Sequence, residues 1–159
     1  MLQLRQVITA LKRVVTMKTI KRQALLPYSA KQMFELVDDI NKYPEFLPNC
    51  AGATEVERSD NQVIATLAVS KGGFEKQFTT KNTNTPYSRI DMELVDGPFK
   101  QLTGLWSFTS LDEQACKIEL EVSFEFSNML TSMAFSSIFN HLAESFVEAF
   151  SNRAKQVYG

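Results

Sequence analysis

Residues 128–158 constrain this chain more than any other stretch. Phe135, Ile138, Phe139, Leu142, Phe146, Ala149, Phe150 and Val157 recur at three- and four-residue steps, which places them on one stripe of an α-helix. Ser137, Glu144, Glu148 and Lys155 fall on the opposite face. Ser127 or Asn128 can cap the start through a side-chain oxygen, and Gly159 suits the left-handed position after the end. At 1.5 Å per residue such a helix is about 45 Å long. An apolar stripe of that length is not stable alone in water and requires an equally long apolar surface to cover it.

The preceding residues supply that surface. Lys18 to Leu26 reads as a strand stopped by Pro27, which cannot donate to a sheet ladder. Ser29 caps a short helix that runs to about Asp38 and carries Met33, Phe34, Leu36 and Val37. The segment 39–48 contains Pro44 and Pro48 and predicts a turn with a one-turn helix presenting Tyr43, Phe46 and Leu47. A meander follows: Ala51 to Arg58, Gln62 to Ser70, and Phe74 to Lys81, separated by the turns Ser59-Asp60-Asn61 and Lys71-Gly72-Gly73. Tyr87 to Val95 puts Ile90, Met92 and Leu94 on one face, and Leu102, Gly104, Trp106 and Phe108 share a face after the Asp96-Gly97-Pro98 turn. In the last strand Ile118, Leu120, Val122, Phe124 and Phe126 point inward, and Glu119, Glu121, Ser123 and Glu125 outward. Such alternation belongs to antiparallel sheets wet on one side and dry on the other. The order is strand, two short helices, about six antiparallel strands and one long helix. It predicts an α+β domain of six to seven strands curled around the C-terminal helix, the helix-grip architecture.

Composition narrows the function. The chain has 159 residues, a net charge of -1, and 12 Phe against one Trp and four Tyr. One domain with one core is expected, and a core rich in Phe and Met can either pack solid or line an apolar cavity. Near-neutral charge speaks against specific DNA binding, since phosphate affinity comes from clustered Lys and Arg. Cys50 and Cys116 stand too far apart in sequence for a metal or redox motif, and reduced thiols in a cytoplasmic protein are the expectation. The chain divides into an extension, 1–16, and a domain, 17–159. Arg5, Lys12 and Arg13 lie in the extension and Lys18, Lys21 and Arg22 just beyond it, with no acid among residues 1–22; Leu4, Val7, Ile8, Leu11, Val14 and Val15 have helical spacing. The extension reads either as a basic amphipathic anchor for peripheral contact with the inner membrane, or as residues upstream of a start at Met17.

Three stretches carry a family resemblance: Tyr43-Pro44-Glu45-Phe46-Leu47-Pro48-Asn49-Cys50; Leu94 to Lys100 running into Leu102, Gly104, Trp106 and Phe108; and Ala149-Phe150 with Arg153-Ala154 and Val157-Tyr158. In this order and spacing they resemble the START-like coenzyme-Q-binding family, a group of polyketide cyclase/dehydrase-type proteins. The resemblance implies a START/Bet v 1-like helix-grip fold with an apolar pocket between helix and sheet. It implies ubiquinone or a related polyprenyl lipid as ligand, in support of respiration. For the ribosome-association toxins within the family it implies instead binding of the 50S subunit, a block to 70S assembly and inhibited translation. Many members carry Trp directly after Phe-Leu-Pro, where this chain has Asn49.

A pocket for a hydrophobic small molecule would draw Phe135, Phe139, Leu142, Phe146 and Phe150 from the helix. From the sheet it would draw Met92, Leu94, Leu102, Trp106, Leu120 and Phe124, with Phe46, Leu47 and Phe99 at its rim. Lys76 shares a strand face with Phe74 and Phe78, and Arg153 falls within the helix stripe. Each either meets a ligand oxygen or lays its stem on apolar surface with its charge in water. The single histidine, His141, lies toward the polar helix face. With no nucleophile–base pair, metal-ligand spacing or phosphate loop in sequence, binding without catalysis, metal or built-in cofactor is the expectation.

Overall fold

The computed structural model describes residues 17–159; the basic extension 1–16 lies outside the described residues. Strand β1 (Lys18–Leu26) leads into helix α1 (Ala30–Asp38) and a 3-10 helix (Ile40–Glu45). Then come β2 (Cys50–Arg58), β3 (Gln62–Lys71), β4 (Phe74–Thr85), β5 (Arg89–Asp96), β6 (Phe99–Asp112), β7 (Ala115–Phe126) and helix α2 (Met129–Tyr158). The seven strands form one antiparallel sheet in the order β1-β7-β6-β5-β4-β3-β2. Strands β2 to β7 are a plain meander joined by short turns. The first strand closes the far edge by pairing with the last, Ile20 opposite Val122.

The two edges, β1 and β2, are consecutive in sequence, so the chain between them must cross from one edge to the other. α1 and the 3-10 helix make that crossing. Ser29 Oγ accepts from the Gln32 backbone N–H at 3.1 Å while Gln32 Oε1 accepts from the Ser29 N–H at 2.9 Å, the reciprocal capping box that satisfies two otherwise orphaned donors. The far end of the crossing is clamped by charge. Arg58 on β2 donates to both Asp38 carboxylate oxygens at 3.0 and 3.1 Å and pairs with Glu55, while Asn84 Nδ2 on β4 donates to Asp38 Oδ1 at 2.9 Å. Such a planar fork fixes geometry as well as charge.

α2 lies along the concave face. Its stripe is Phe135, Ile138, Phe139, Leu142, Ala143, Val147, Phe150 and Ala154, all buried. Asn128 caps it, accepting from the Thr131 N–H at 2.8 Å. Two expectations are corrected here. Val157 is half exposed, because the seam advances from Phe150 to Ala154 and then, one further turn on, to Tyr158. The Tyr158 hydroxyl donates to Gln32 O at 3.2 Å and its ring lies 5.9 Å from Tyr28. Phe146 and Ala149 are only half-buried, and Val147 takes the deep position. Tyr43 is buried rather than presented: its hydroxyl donates to Val37 O and its ring meets Phe150 at 5.1 Å.

Aromatic side chains fill the interface. Phe139 stands 4.8 Å from Phe99 and 4.7 Å from Phe124, both near-perpendicular contacts, the edge-to-face arrangement that ring quadrupoles favour. Trp106 meets Phe150 the same way at 5.5 Å. Phe99 reaches this cluster because the preceding turn is tight. Gly97 has φ 149, and a Cβ there would sit 2.6 Å from Phe78 Cβ. Pro98 O then accepts from the Ser127 backbone at 3.0 Å, tying the β5–β6 turn to the start of α2.

Two substitutions test this frame. Phe150→Ala should lower the unfolding free energy by ~3–5 kcal/mol, the usual cost of emptying a fully buried phenyl site, read as a fall in urea midpoint at unchanged slope. Gly97→Ala should cost ~1–3 kcal/mol or more, because backbone strain and the clash with Phe78 add; a neutral result would show that the turn can reopen.

Candidate ligand-binding cavity

A straight helix over a curved sheet leaves a gap. α2 runs closest to β1 and β7 and meets β3 on the far side, and between these lines lies a cavity of about 60 Å³. Phe139, Ala143 and Phe146 form its roof, and Ile40 and Tyr43 reach it from the 3-10 helix. The sheet contributes Ala65 and Leu67 from β3, Phe78, Thr80 and Asn82 from β4, and Met92 from β5. Leu102, Gly104 and Trp106 come from β6, and Leu120 and Val122 from β7. Asn82, Met92, Gly104 and Val122 are successive cross-strand partners, one row across the floor. Gly104 makes room in that row: a Cβ there would lie 2.4 Å from the Met92 terminal methyl.

Of the residues expected at a pocket, Met92, Leu102, Trp106, Leu120, Phe139 and Phe146 line this cavity. Leu47, Phe99, Phe124, Phe135, Leu142 and Phe150 do not. They are buried among other side chains in solid core, because a thirty-residue stripe exceeds what one small cavity can use. Leu94 is half-buried on β5 opposite Thr80, outside the lining. Phe46 packs on Phe150 at 5.0 Å beneath the Arg153 guanidinium, which stands 5.0 Å above its ring and 3.4 Å from Glu45. Arg153 thus keeps its charge at a surface ion pair. Lys76 is exposed, its amine 6.0 Å over the Phe74 ring. Neither cation enters the cavity. Asn49 takes a left-handed φ of 63, a conformation asparagine adopts far more readily than tryptophan, and its side chain donates to Ser70 O at 3.2 Å.

The lining missed at the sequence level is its polar part. Thr80 and Asn82 continue the period-two alternation begun by Phe74 and Phe78, but the strand was expected to end at Lys81 and extends to Thr85. Thr80 Oγ1 donates to Asn82 Oδ1 at 2.8 Å. The other polar liner, Tyr43, is held neutral: burial first, then the nearby Asp38 carboxylate, push its phenol above its ordinary range. The lining offers no carboxylate, imidazole, thiol or amine. Cys50 lies outside it, with its thiol pushed up to about 11 by burial, and no cluster of His, Cys, Asp and Glu among the described residues could hold a metal ion. His141 is exposed. Chemically the cavity can solvate a neutral apolar group. It has no proton donor–acceptor pair with which to transform one.

Comparison with known proteins places this geometry. Residues 26–151 match the model of the family described as polyketide cyclase/dehydrase and lipid transport. The ribosome association toxin RatA of Vibrio cholerae is 54% identical over 143 residues, spanning 90% of this chain and 99% of that one. A mitochondrial coenzyme Q-binding protein of Xenopus laevis is 27% identical over 139 residues, covering 85% of this chain and 57% of its own. Among solved structures, the Zhui aromatase/cyclase of Streptomyces superposes with a TM-score of 0.77 at 14% identity, over 88% of this chain and 94% of that one, a likeness of fold. The helix-grip architecture, the match over most of the chain and the high identity to RatA together make this protein a member of the polyketide cyclase/dehydrase and lipid transport family.

Proposed function

We propose that this protein is a RatA-type regulator that binds the 50S ribosomal subunit and blocks its association with the small subunit, so inhibiting translation. The observation that carries the reading is the 54% identity to a ribosome association toxin across 99% of that protein's length. The cavity supports it from the other side. About 60 Å³ is well below the ~150 Å³ that holds a benzene molecule, so a polyprenyl quinone has no room unless α2 and the sheet separate. The quinone reading is therefore the weaker one for this chain.

Surface chemistry at one end of the sheet suits a large partner. Met129, Leu130 and Met133 on the first turns of α2 are each more than three-quarters exposed, a degree of apolar exposure associated with contact surfaces. Lys71, Lys76 and Lys100 are exposed at the same end, where β3 and β4 turn and β6 begins. None of them pairs with a carboxylate among the described residues. Lysines on ribosomal RNA phosphates would give binding that falls steeply with salt.

Sedimentation through sucrose gradients tests the proposal. The protein should travel with 50S particles at low salt, leave them as salt rises, and lower the 70S fraction when added to mixed subunits. Lys76→Glu with Lys100→Glu should weaken association about tenfold or more at low salt without altering the urea midpoint. A folded protein that never accompanies 50S particles at low salt would sink the assignment.

A further inference from the structure

Asn82 is the only buried polar or charged residue among the described residues, 9% exposed, and it lies in the middle of the cavity floor. Its neighbours in the row across the sheet are Val63, Met92, Gly104 and, beyond Gly104, Val122. A position of this kind in a strand normally takes Val or Ile, because packing decides it. Here a carboxamide takes it and is only half used. Thr80 Oγ1 donates to its oxygen at 2.8 Å, which fixes the amide plane, and the amide nitrogen donates to no group among the described residues. Two residues on, Asn84 shows what a structural asparagine does in this strand: its Nδ2 is spent on Asp38 at 2.9 Å. A buried amide whose N–H finds no acceptor is destabilising. The arrangement makes sense if the acceptor arrives with a ligand.

We propose that Asn82, braced by Thr80, is the polar recognition point of the cavity. Its ligand is a neutral, mainly apolar molecule carrying one hydrogen-bond-accepting oxygen, as in a ketone. The charge is settled by the walls: with no cation or carboxylate in the lining, an ionised ligand would be desolvated without a partner. The oxygen is settled by Thr80, whose hydroxyl occupies the amide's acceptor side and leaves a donor facing the cavity. Access is settled by the two movable liners. Met92 is unbranched and half-buried and lies over Gly104, and Phe146 is half-buried at the edge of the roof. Displacing Met92 merges its volume with the cavity beside Asn82. This inference concerns small-molecule recognition and stands or falls separately from ribosome binding.

The test uses two probes of the same shape, acetophenone and cumene, titrated into the full chain by NMR. Asn82→Leu should shift the acetophenone-to-cumene affinity ratio about tenfold toward cumene, the loss expected for one buried hydrogen bond. Thr80→Val should shift it the same way by a smaller factor. Met92→Ala should tighten both probes and keep the ratio. Asn82→Leu should fold at least as stably as the parent, since it removes an underused amide. A ratio unchanged in folded Asn82→Leu overturns the recognition point while leaving the cavity intact as a binding site. Failure of both probes to bind either the parent or Met92→Ala overturns the cavity as a ligand site altogether.

Discussion

The structure depends on one mutual burial. A thirty-residue helix with an apolar stripe and a sheet with one dry face cannot each satisfy the hydrophobic effect alone. Pressed together they bury Phe135, Phe139, Leu142 and Phe150 against Phe99, Trp106, Leu120 and Phe124. The contacts are mostly edge-to-face, with the rings of Phe99, Phe124 and Phe139 within 5 Å of one another at 4.7 and 4.8 Å about Phe139. Everything else serves to hold the sheet in the curve that makes this possible.

That curve is secured at its edges. β1 pairs with β7 although their residues are separated by most of the chain, and β2 forms the other edge. An open sheet whose first two strands lie at opposite edges must send its connection across, and α1 with the 3-10 helix therefore tie the edges together. The capping box at Ser29 starts that strap, and the Arg58–Asp38–Asn84 cluster anchors its end. Tyr43 makes the strap part of the core: its hydroxyl is used within the strap and its ring packs on Phe150 of α2. The segment that looked most like an exposed loop, 39–48, thus contributes two of the cavity's liners.

Most of the fold was legible because its elements are locally consistent. Period-two alternation in β7, period 3.6 in α2 and proline or glycine at the turns all point the same way. What could not be read locally was depth. Helical spacing marks a broad stripe, but which members reach the floor depends on where the sheet curves. Hence Val147 and Ala154 went unseen, and Val157 was placed in a seam that Tyr158 completes. The cavity was less legible for the same reason. Large aromatic side chains suggested a pocket, yet most of them fill it, and the actual space depends on small residues: Gly104, Ala65 and Ala143. Absence of side-chain volume leaves no periodic signal. Asn82 escaped notice because a polar residue inside a strand ordinarily signals the wet face, and only the register with Met92 and Gly104 shows that it is on the dry one.

The cavity's position follows from geometry before chemistry enters. Sheets twist and curl, and long helices bend only gently, so α2 can track β1 and β7 closely only by parting from the middle strands. Some space between Phe146 and the β4–β6 floor is the natural result, and members of a family sharing the architecture can differ in what fills it. In this chain Met92 and the aromatic roof fill nearly all of it, leaving about 60 Å³. A carrier of long lipids would need the opposite choice at these positions. The filled cavity, the exposed apolar start of α2 and the unpaired lysines beside it therefore shift the weight of function outward, to a surface that meets a large partner. The half-used amide of Asn82 leaves the interior able to report on a small one.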